Sequence, residues 1–492
     1  MSTRRAAAAR PRADCLLPAL AAATVAAYAV FWLRPLWLGD FKPFAGEAFS
    51  LTVALGGDWA GAARYVAGAL VLLALYGAAL VALPRCSPSL AWRLAVGVAV
   101  LAPVAVLFTY PVLAADVFDY LMSGRLISAH HLNPYTWTAA SAPQDPYYPP
   151  VGWKDQPSIY GPLWVDLMAA VTYVAGGATT AALLLAKALS VLAHLGAAVF
   201  VYLIARKVSP GRQLAAFVAY AWNPLVIIYV AVDGHNDSVL LLSVLAAVYF
   251  GLDRRWEAAL PALTLGTLVK FVPAALFPLF LWQARRDARP AAVGGLVSIV
   301  LAVALFAPLW AGDATFDGLR DQAARMTSSP VALASFYAPD AWLRPVAGVV
   351  FAAGYVVILA RGRSLVWSCY AVLLLYLVVL SWWTKPWYFI WPIGLAAVLG
   401  GDALWITLPG IVGLFASNLV GAWGWQMDWL HWQARWGSKM MEAWLTATTV
   451  GGWLLGLGAL GGARLLWPRF VPARRRAAPP AREAQGPAKT TA

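Results

Sequence analysis

The sequence predicts an all-α, polytopic transmembrane helical bundle. Three observations predict it. Of 492 residues, 62% are hydrophobic and 12% charged; apolar runs of about 20 residues, enough to span a hydrocarbon core, recur along the chain; and those runs are continuously apolar, rich in Ala, Leu and Val. A soluble chain of this composition would have too little polar surface. A closed β-barrel also satisfies its backbone in lipid, but it needs short segments of alternating polarity, which these runs are not.

Fourteen apolar segments are predicted, at about 17–34, 61–83, 92–113, 160–176, 178–204, 213–231, 238–252, 258–282, 291–310, 341–360, 364–382, 386–401, 403–421 and 441–466. Some need not cross fully, so the bundle has about 12–14 membrane segments. The run from Leu16 to Leu33 is long and lacks a clear small-residue cleavage site, so it reads as a retained anchor rather than a signal peptide. One membrane domain, 16–467, lies between a cytoplasmic N-terminal tail, 1–15, and a disordered, basic C-terminal tail, 468–492.

The net charge of +14 concentrates at Arg4, Arg5, Arg10 and Arg12 and again at Arg464, Arg474, Arg475, Arg476 and Arg482. These are membrane-flanking charges, so membrane lipids are expected partners. Nucleic acid is not, since no basic residues interleave with aromatics in a soluble domain. Cys15, Cys86 and Cys369 lie in or beside different apolar segments and suggest neither a disulfide framework nor a metal cluster.

The basic loops place the N-terminus, 85–93, 285–289, 361–363 and the C-terminal tail in the cytoplasm, and put 114–159 and 311–340 outside. Counting every segment as a crossing would also put Arg206, Lys207 and Arg212 outside. Two segments, 160–176 and the proline-rich 258–282 around Lys270, are therefore expected to turn back or break. The loop 233–237 then joins the outer face.

Candidate chemistry lies in the polar loops, since charge in lipid is costly. After the third segment come Asp116 and Asp119, which share one face if helical, with Tyr120, Arg125, Asn133, Tyr135 and Tyr160 following. One carboxylate could act as general base while the other holds a cation or sugar hydroxyl. Taken alone, the pair reads as a solvated first turn. Trp222-Asn223-Pro224 precedes the loop of Asp233, Gly234, His235, Asn236 and Asp237, whose polar density exceeds what an N-cap needs. Lys270 lies more than ten residues from either end of its segment and needs an anion, either a lipid-carrier phosphate or an Asp such as Asp237. Trp382, Trp383, Lys385, Trp387 and Tyr388 form one aromatic cluster, and Trp423, Trp425, Trp429, Trp432 and Trp436 another. Interfacial belts account for most of the 26 Trp, yet aromatic faces also stack on sugars.

In this order the motifs resemble the GT-C glycosyltransferases, over roughly residues 90 to 400. They are most similar to the bacterial polyprenol-phosphate-mannose-dependent mannosyltransferases, and more distantly to the enzyme adding the first mannose of GPI anchors. The resemblance is carried by Asp116, Asp119, Tyr120, Gly124, Arg125, Asn133-Pro134-Tyr135, Tyr160-Gly161-Pro162-Leu163-Trp164, Trp222-Asn223-Pro224, His235-Asn236-Asp237, Lys270 and Pro386-Trp387-Tyr388. It implies an inverting hexosyltransferase that takes a hexose, mannose by resemblance, from a polyprenyl phosphate on the extracytoplasmic face. The acceptor would be a lipid-linked glycan of the cell envelope.

That resemblance places the catalytic base in the external loop 114–159, at Asp116 or Asp119. Substrate contacts are expected from Tyr120, Arg125, Asn133, Tyr135, Tyr160, His235, Asn236, Asp237, Lys270, Lys385, Trp387 and Tyr388, with Lys270, Arg125 and His235 as cations for the leaving phosphate. A divalent cation, Mg or Mn, on Asp116 and Asp119 is compatible with this but not required, and no cofactor is certain. The competing class is a polytopic lipid or glycan transporter or flippase, which would show an inverted repeat and mid-membrane polar groups. No such repeat is apparent.

Overall fold

Alternation of apolar runs with short polar breaks produces helices joined by tight connections. The computed structural model describes residues 15–48, 54, 56, 59–325, 329–401, 403, 404, 407, 446, 447, 450, 451 and 454. Among these, α1 (Leu17–Tyr28), α2 (Trp59–Ala82), α3 (Pro88–Leu107), α4 (Asp116–His130), α5 (Pro162–Ala175) and α6 (Thr179–Val208) build the first half. After them come α7 (Gln213–Ala221), α8 (Pro224–Ile227), α9 (Asp237–Leu252), α10 (Trp256–Val269), α11 (Phe277–Ala284) and α12 (Ala288–Phe306). The last are α13 (Asp317–Ala324), α14 (Pro330–Ala334), α15 (Asp340–Ala360), α16 (Leu365–Leu375) and α17 (Ile390–Leu399). Two β-bridge residues, Trp37 and Thr109, are the only extended pairing among the described residues.

Each of the twelve apolar runs expected before residue 402 is helical. Among the described residues, five helices are long and apolar enough to cross a membrane: Ala63–Arg85, Pro88–Leu107, Thr179–Val208, Ala288–Leu309 and Asp340–Ala360. A sixth forms if Gln213–Ala221 and Pro224–Val232, bent by 48°, are one span. The remaining apolar helices are 10–17 residues long because the chain breaks them. Residues 258–282 stop at Lys270, which is extended (φ −156°, ψ 130°), and resume through a 3₁₀ turn, Val272–Leu276. The expected segments 403–421 and 441–466, the cluster from Trp423 to Trp436, and the tails, Cys15 excepted, lie almost wholly or wholly outside the described residues.

Burial sets the layers. α9 packs between α10 and α6, and α17 closes on α6, α7 and α9, so the polar residues at the start of α9 are sealed from lipid. α12 and α15 are the least buried of the long helices and present Leu296, Ile299, Val349 and Val356 outward, as lipid-facing helices do. One correction concerns the cysteines: Cys15 and Cys86 are joined, with Cα atoms 5.3 Å apart. The bridge ties the start of α1 to the turn before α3, the end of α3 opposite Asp116.

Three local devices position the site. Trp222-Asn223-Pro224 makes the bend between α7 and α8. The Asn223 side chain accepts from the N–H groups of Leu225 and Val226, Pro224 occupies the first helical position, and the Trp222 indole donates to Ala95 O at 2.9 Å. Buried Lys187 donates to Thr109 O, and Asp233 accepts from the Val112 and Leu113 N–H groups, both at 3.1 Å, which fixes the approach to α4. Gly161 lies against the end of α10: its N–H donates to Val269 O at 3.0 Å, and a Cβ there would fall 2.1 Å from Leu268 O.

Gly161→Ala should therefore cost about 1–3 kcal/mol through a forced backbone shift. Gly177→Ala, in open space, should stay within about 0.5 kcal/mol of wild type. Thermal unfolding of the two variants in lipid nanodiscs checks this, and equal midpoints would contradict the close approach.

Candidate functional site

A cavity of about 340 Å³ opens where four distant chain segments meet. It is lined by Asp116 and Asp119 from the first turn of α4, residues 151–153 and 156–160 of the following loop, Lys270 at the helix break, Gln322 and Arg325 at the end of α13, and Trp383, Lys385, Trp387 and Tyr388 before α17. A second cavity of about 350 Å³ adjoins it, sharing Tyr160, Lys270, Tyr388 and Trp383 and adding Val272, Ala275, Leu319 and Leu380.

The two carboxylates on neighbouring turns have different surroundings. The Asp116 side chain is 18% exposed; its Oδ1 accepts from the Tyr160 hydroxyl at 3.2 Å, and its Oδ2 is 4.0 Å from His235 Nε2. Burial raises the Asp116 carboxyl above its usual range, and Lys270 and Lys385 oppose that rise. Asp119 instead turns into the loop, where Oδ1 accepts from the N–H groups of Gly152 (3.1 Å) and Trp153 (2.9 Å), while Oδ2 is buried without a partner. Burial, reinforced by the charge of Asp116, pushes Asp119 up to about 8. Asp116 thus faces the cavity, and Asp119 holds the loop.

Lys270 Nζ bonds Asp237 Oδ1 at 3.0 Å and sits 4.5 Å over the Tyr388 ring, with 14% of its side chain exposed. Asp237 is sealed and also accepts from the Trp391 indole at 2.6 Å. Lys385 lies 4.6 Å over Trp383 and 6.0 Å from the Trp387 ring. Burial pushes its ammonium down to about 8, opposed by Asp116. His235, stacked on Trp387 at 4.2 Å and 21°, is fully buried, and burial keeps its imidazole well below its ordinary value. It is a neutral group that contacts the Tyr120 hydroxyl at 3.4 Å.

Of the expected contact residues, Tyr160, Lys270, Lys385, Trp387 and Tyr388 line the cavity. Tyr120, His235 and Asp237 form the layer behind it. Arg125, Asn133, Tyr135 and Asn236 do not reach it, for physical reasons. Arg125 and His130 bond Asp145 Oδ2 at 3.0 and 2.8 Å, and the Arg125 guanidinium lies over Tyr147. Burial raises Asp145, but the Tyr147 N–H, His130 and Arg125 outweigh it and hold the carboxyl low. Asn133 braces its own turn and donates to Leu309 O, and the Tyr135 hydroxyl donates to Tyr160 O. Asn236 is buried beneath the loop. Arg125 and His235 are therefore not cations of the cavity.

Four further lining residues carry no motif in the sequence: Trp137 and Trp153 in the loop after α4, Gln322 in the last turn of α13 and Arg325 directly after it. Among the described residues, no group of three or more His, Cys, Asp and Glu gathers as metal ligands, and Asp119 Oδ1 is already occupied by two N–H donors.

The model of the family described as alpha-(1->6)-mannopyranosyltransferase, N-terminal domain, matches residues 15–286. That stretch contains Asp116, Asp119, Asp237 and Lys270, with Arg325 and Lys385 beyond it. Alpha-(1->6)-mannopyranosyltransferase A of Corynebacterium glutamicum is 26% identical over 181 residues, 36% of this chain and 36% of that protein. Alpha-(1->6)-mannopyranosyltransferase B of the same organism is 25% identical over 155 residues, 30% of this chain and 25% of that protein. The chain thus spans about a third of the length of the first relative and a quarter of the second. No solved structure matches.

Burial pushes the Asp119 carboxyl up to about 8 in the fold, against about 3.9 in an unfolded chain. A raised folded value means its neutral form contributes stability that is complete below the unfolded value and lost as pH rises through the folded one. Between pH 5 and 9 the thermal midpoint of the wild type should fall relative to that of Asp119→Asn. Parallel curves for the two proteins would contradict the assignment.

Proposed function

We propose a membrane mannosyl transfer for this chain, which belongs to the alpha-(1->6)-mannopyranosyltransferase family. The donor is a polyprenyl-phosphate mannose, the acceptor a lipid-linked glycan, and the reaction inverts the anomeric centre. One observation carries the reading: a cavity-facing carboxylate, Asp116, opposed by the two ammonium groups of Lys270 and Lys385 at one end of an apolar bundle.

Asp116 takes the proton of an acceptor hydroxyl as that oxygen attacks the anomeric carbon. The bond from that carbon to the phosphate oxygen breaks, and its electron pair leaves on the phosphate. Burial above the ordinary carboxylate range makes Asp116 a stronger base than a solvated Asp. Lys270 and Lys385 offset the charge that grows on the leaving group, in a cavity where water screens it little. The Tyr160 hydroxyl, donating to Asp116 Oδ1, holds the base in place, and neutral His235 behind it does not compete for the phosphate. The adjoining cavity, apolar at Val272, Leu319 and Leu380 and meeting the first at Lys270, suits a prenyl chain whose phosphate sits at the junction.

Basic loops at 85–93, 285–289 and 361–363 favour a cytoplasmic position for the opposite end and an extracytoplasmic cavity. The Cys15–Cys86 bridge at that opposite end pulls the other way, since disulfides persist in oxidising compartments. Ala140→Cys, in an exposed part of the cavity loop, decides between them. A membrane-impermeant maleimide should label it on intact cells, and labelling only in inverted vesicles would reverse the orientation.

Purified protein incubated with polyprenyl-phosphomannose and an oligomannoside lipid should transfer mannose. Asp116→Asn should lower kcat by about 10²- to 10⁴-fold, and Lys385→Met by about 10²-fold. Asp119→Asn, which keeps the acceptor oxygen for Gly152 and Trp153, should lower it less. Wild-type rates in both Asp variants would remove the catalytic assignment.

A further inference from the structure

Trp153, Trp383 and Arg325 come from three chain segments yet meet at the mouth of the cavity. The two indoles are 5.8 Å apart at 80°, and the Arg325 guanidinium lies 4.4 Å from the Trp153 ring and 5.9 Å from that of Trp383. Trp137 lines the same cavity from the loop after α4. Trp137 and Trp153 are 50% and 40% exposed, so each indole keeps accessible surface, with the Arg325 guanidinium already over the Trp153 ring. An interfacial belt would turn such faces to lipid, but these border a polar cavity.

We propose that this cluster is a clamp for the pyranose ring next to the sugar that accepts mannose, so that the protein reads at least two sugar units of its acceptor. The proposal rests on the transferase reading above. An indole face stacks on the C–H face of a pyranose, and the planar fork of Arg325 offers several donors to ring hydroxyls. Its position relative to the chemistry is fixed, because the Trp153 N–H is held by Asp119 Oδ1 at 2.9 Å, one helical turn from Asp116. Asp119 is in this account a positioning residue: it ties the clamp to the helix that carries the base.

The clamp predicts a length preference that variants erase. With full-length protein in nanodiscs and polyprenyl-phosphomannose as donor, kcat/KM is measured for lipid acceptors bearing one or two mannose units. The wild type should favour the longer acceptor, chiefly through KM. Trp153→Ala and Arg325→Ala should each cut the long-to-short ratio by about five- to tenfold, and Trp153→Phe should restore part of it.

The same ratio in wild type and both Ala variants overturns the clamp, as does a wild type indifferent to acceptor length. Saturation-transfer NMR with a free α-linked mannose disaccharide and with the monosaccharide supplies a readout that needs no turnover. Disaccharide binding lost in Trp153→Ala, in a preparation that transfers nothing, upholds the clamp and removes the transferase reading. Transfer with clamp-independent binding does the reverse. Monodisperse elution and an unchanged thermal midpoint confirm that each variant is folded.

Discussion

Lys270 reaches Asp237 Oδ1 at 3.0 Å because α10 stops one residue earlier and the chain turns out of the helix there. An Asp sealed at the start of α9 with no partner would cost several kcal/mol. The ammonium and the Trp391 indole remove that penalty together. The same break lets Gly161 press against Leu268 and Val269, which brings the end of the α4–α5 loop, and with it Tyr160, to the edge of the cavity. Break, ion pair and loop closure are therefore one arrangement, and the cavity exists where they meet.

Around that arrangement, the two carboxylates of α4 divide their work. The hydroxyl of Tyr160 and the charges of Lys270 and Lys385 favour the ionised form of Asp116 against the burial that raises its carboxyl. Two backbone donors and a sealed second oxygen tie Asp119 to residues 152 and 153 instead. The neutral state of His235 follows from its complete burial. The cations that line the cavity are then Lys270, Lys385 and Arg325.

Much of this is legible in the sequence, because hydropathy acts locally. Every apolar run before residue 402 forms helix, and Lys270, deep in such a run, announces that the run must break or pair. The density of polar residues around Gly234 points to a site in place of a cap, whereas the fold buries them behind the cavity wall. What the sequence hides depends on partners far along the chain. Arg125, Asn133 and Tyr135 sit among the same motifs as Asp116, but their side chains are spent folding the loop through Asp145, Leu309 and Tyr160. Arg325 and Trp153 carry no local pattern, since only the tertiary fold brings their segments together. The cysteine pair is hidden for the same reason, 71 residues apart in sequence and adjacent in the bundle.

In the proposed reaction, the cavity at Asp116, Lys270 and Lys385 is where a phosphate leaves and a hydroxyl attacks. Cryo-electron microscopy of the Asp116→Asn protein with polyprenyl-phosphomannose tests it most directly. Phosphate density should lie within ion-pair distance of Lys270 and Lys385, with the sugar between it and residue 116. Density at any other surface, such as the Arg125–Asp145 cluster, with this cavity holding only solvent, would contradict it.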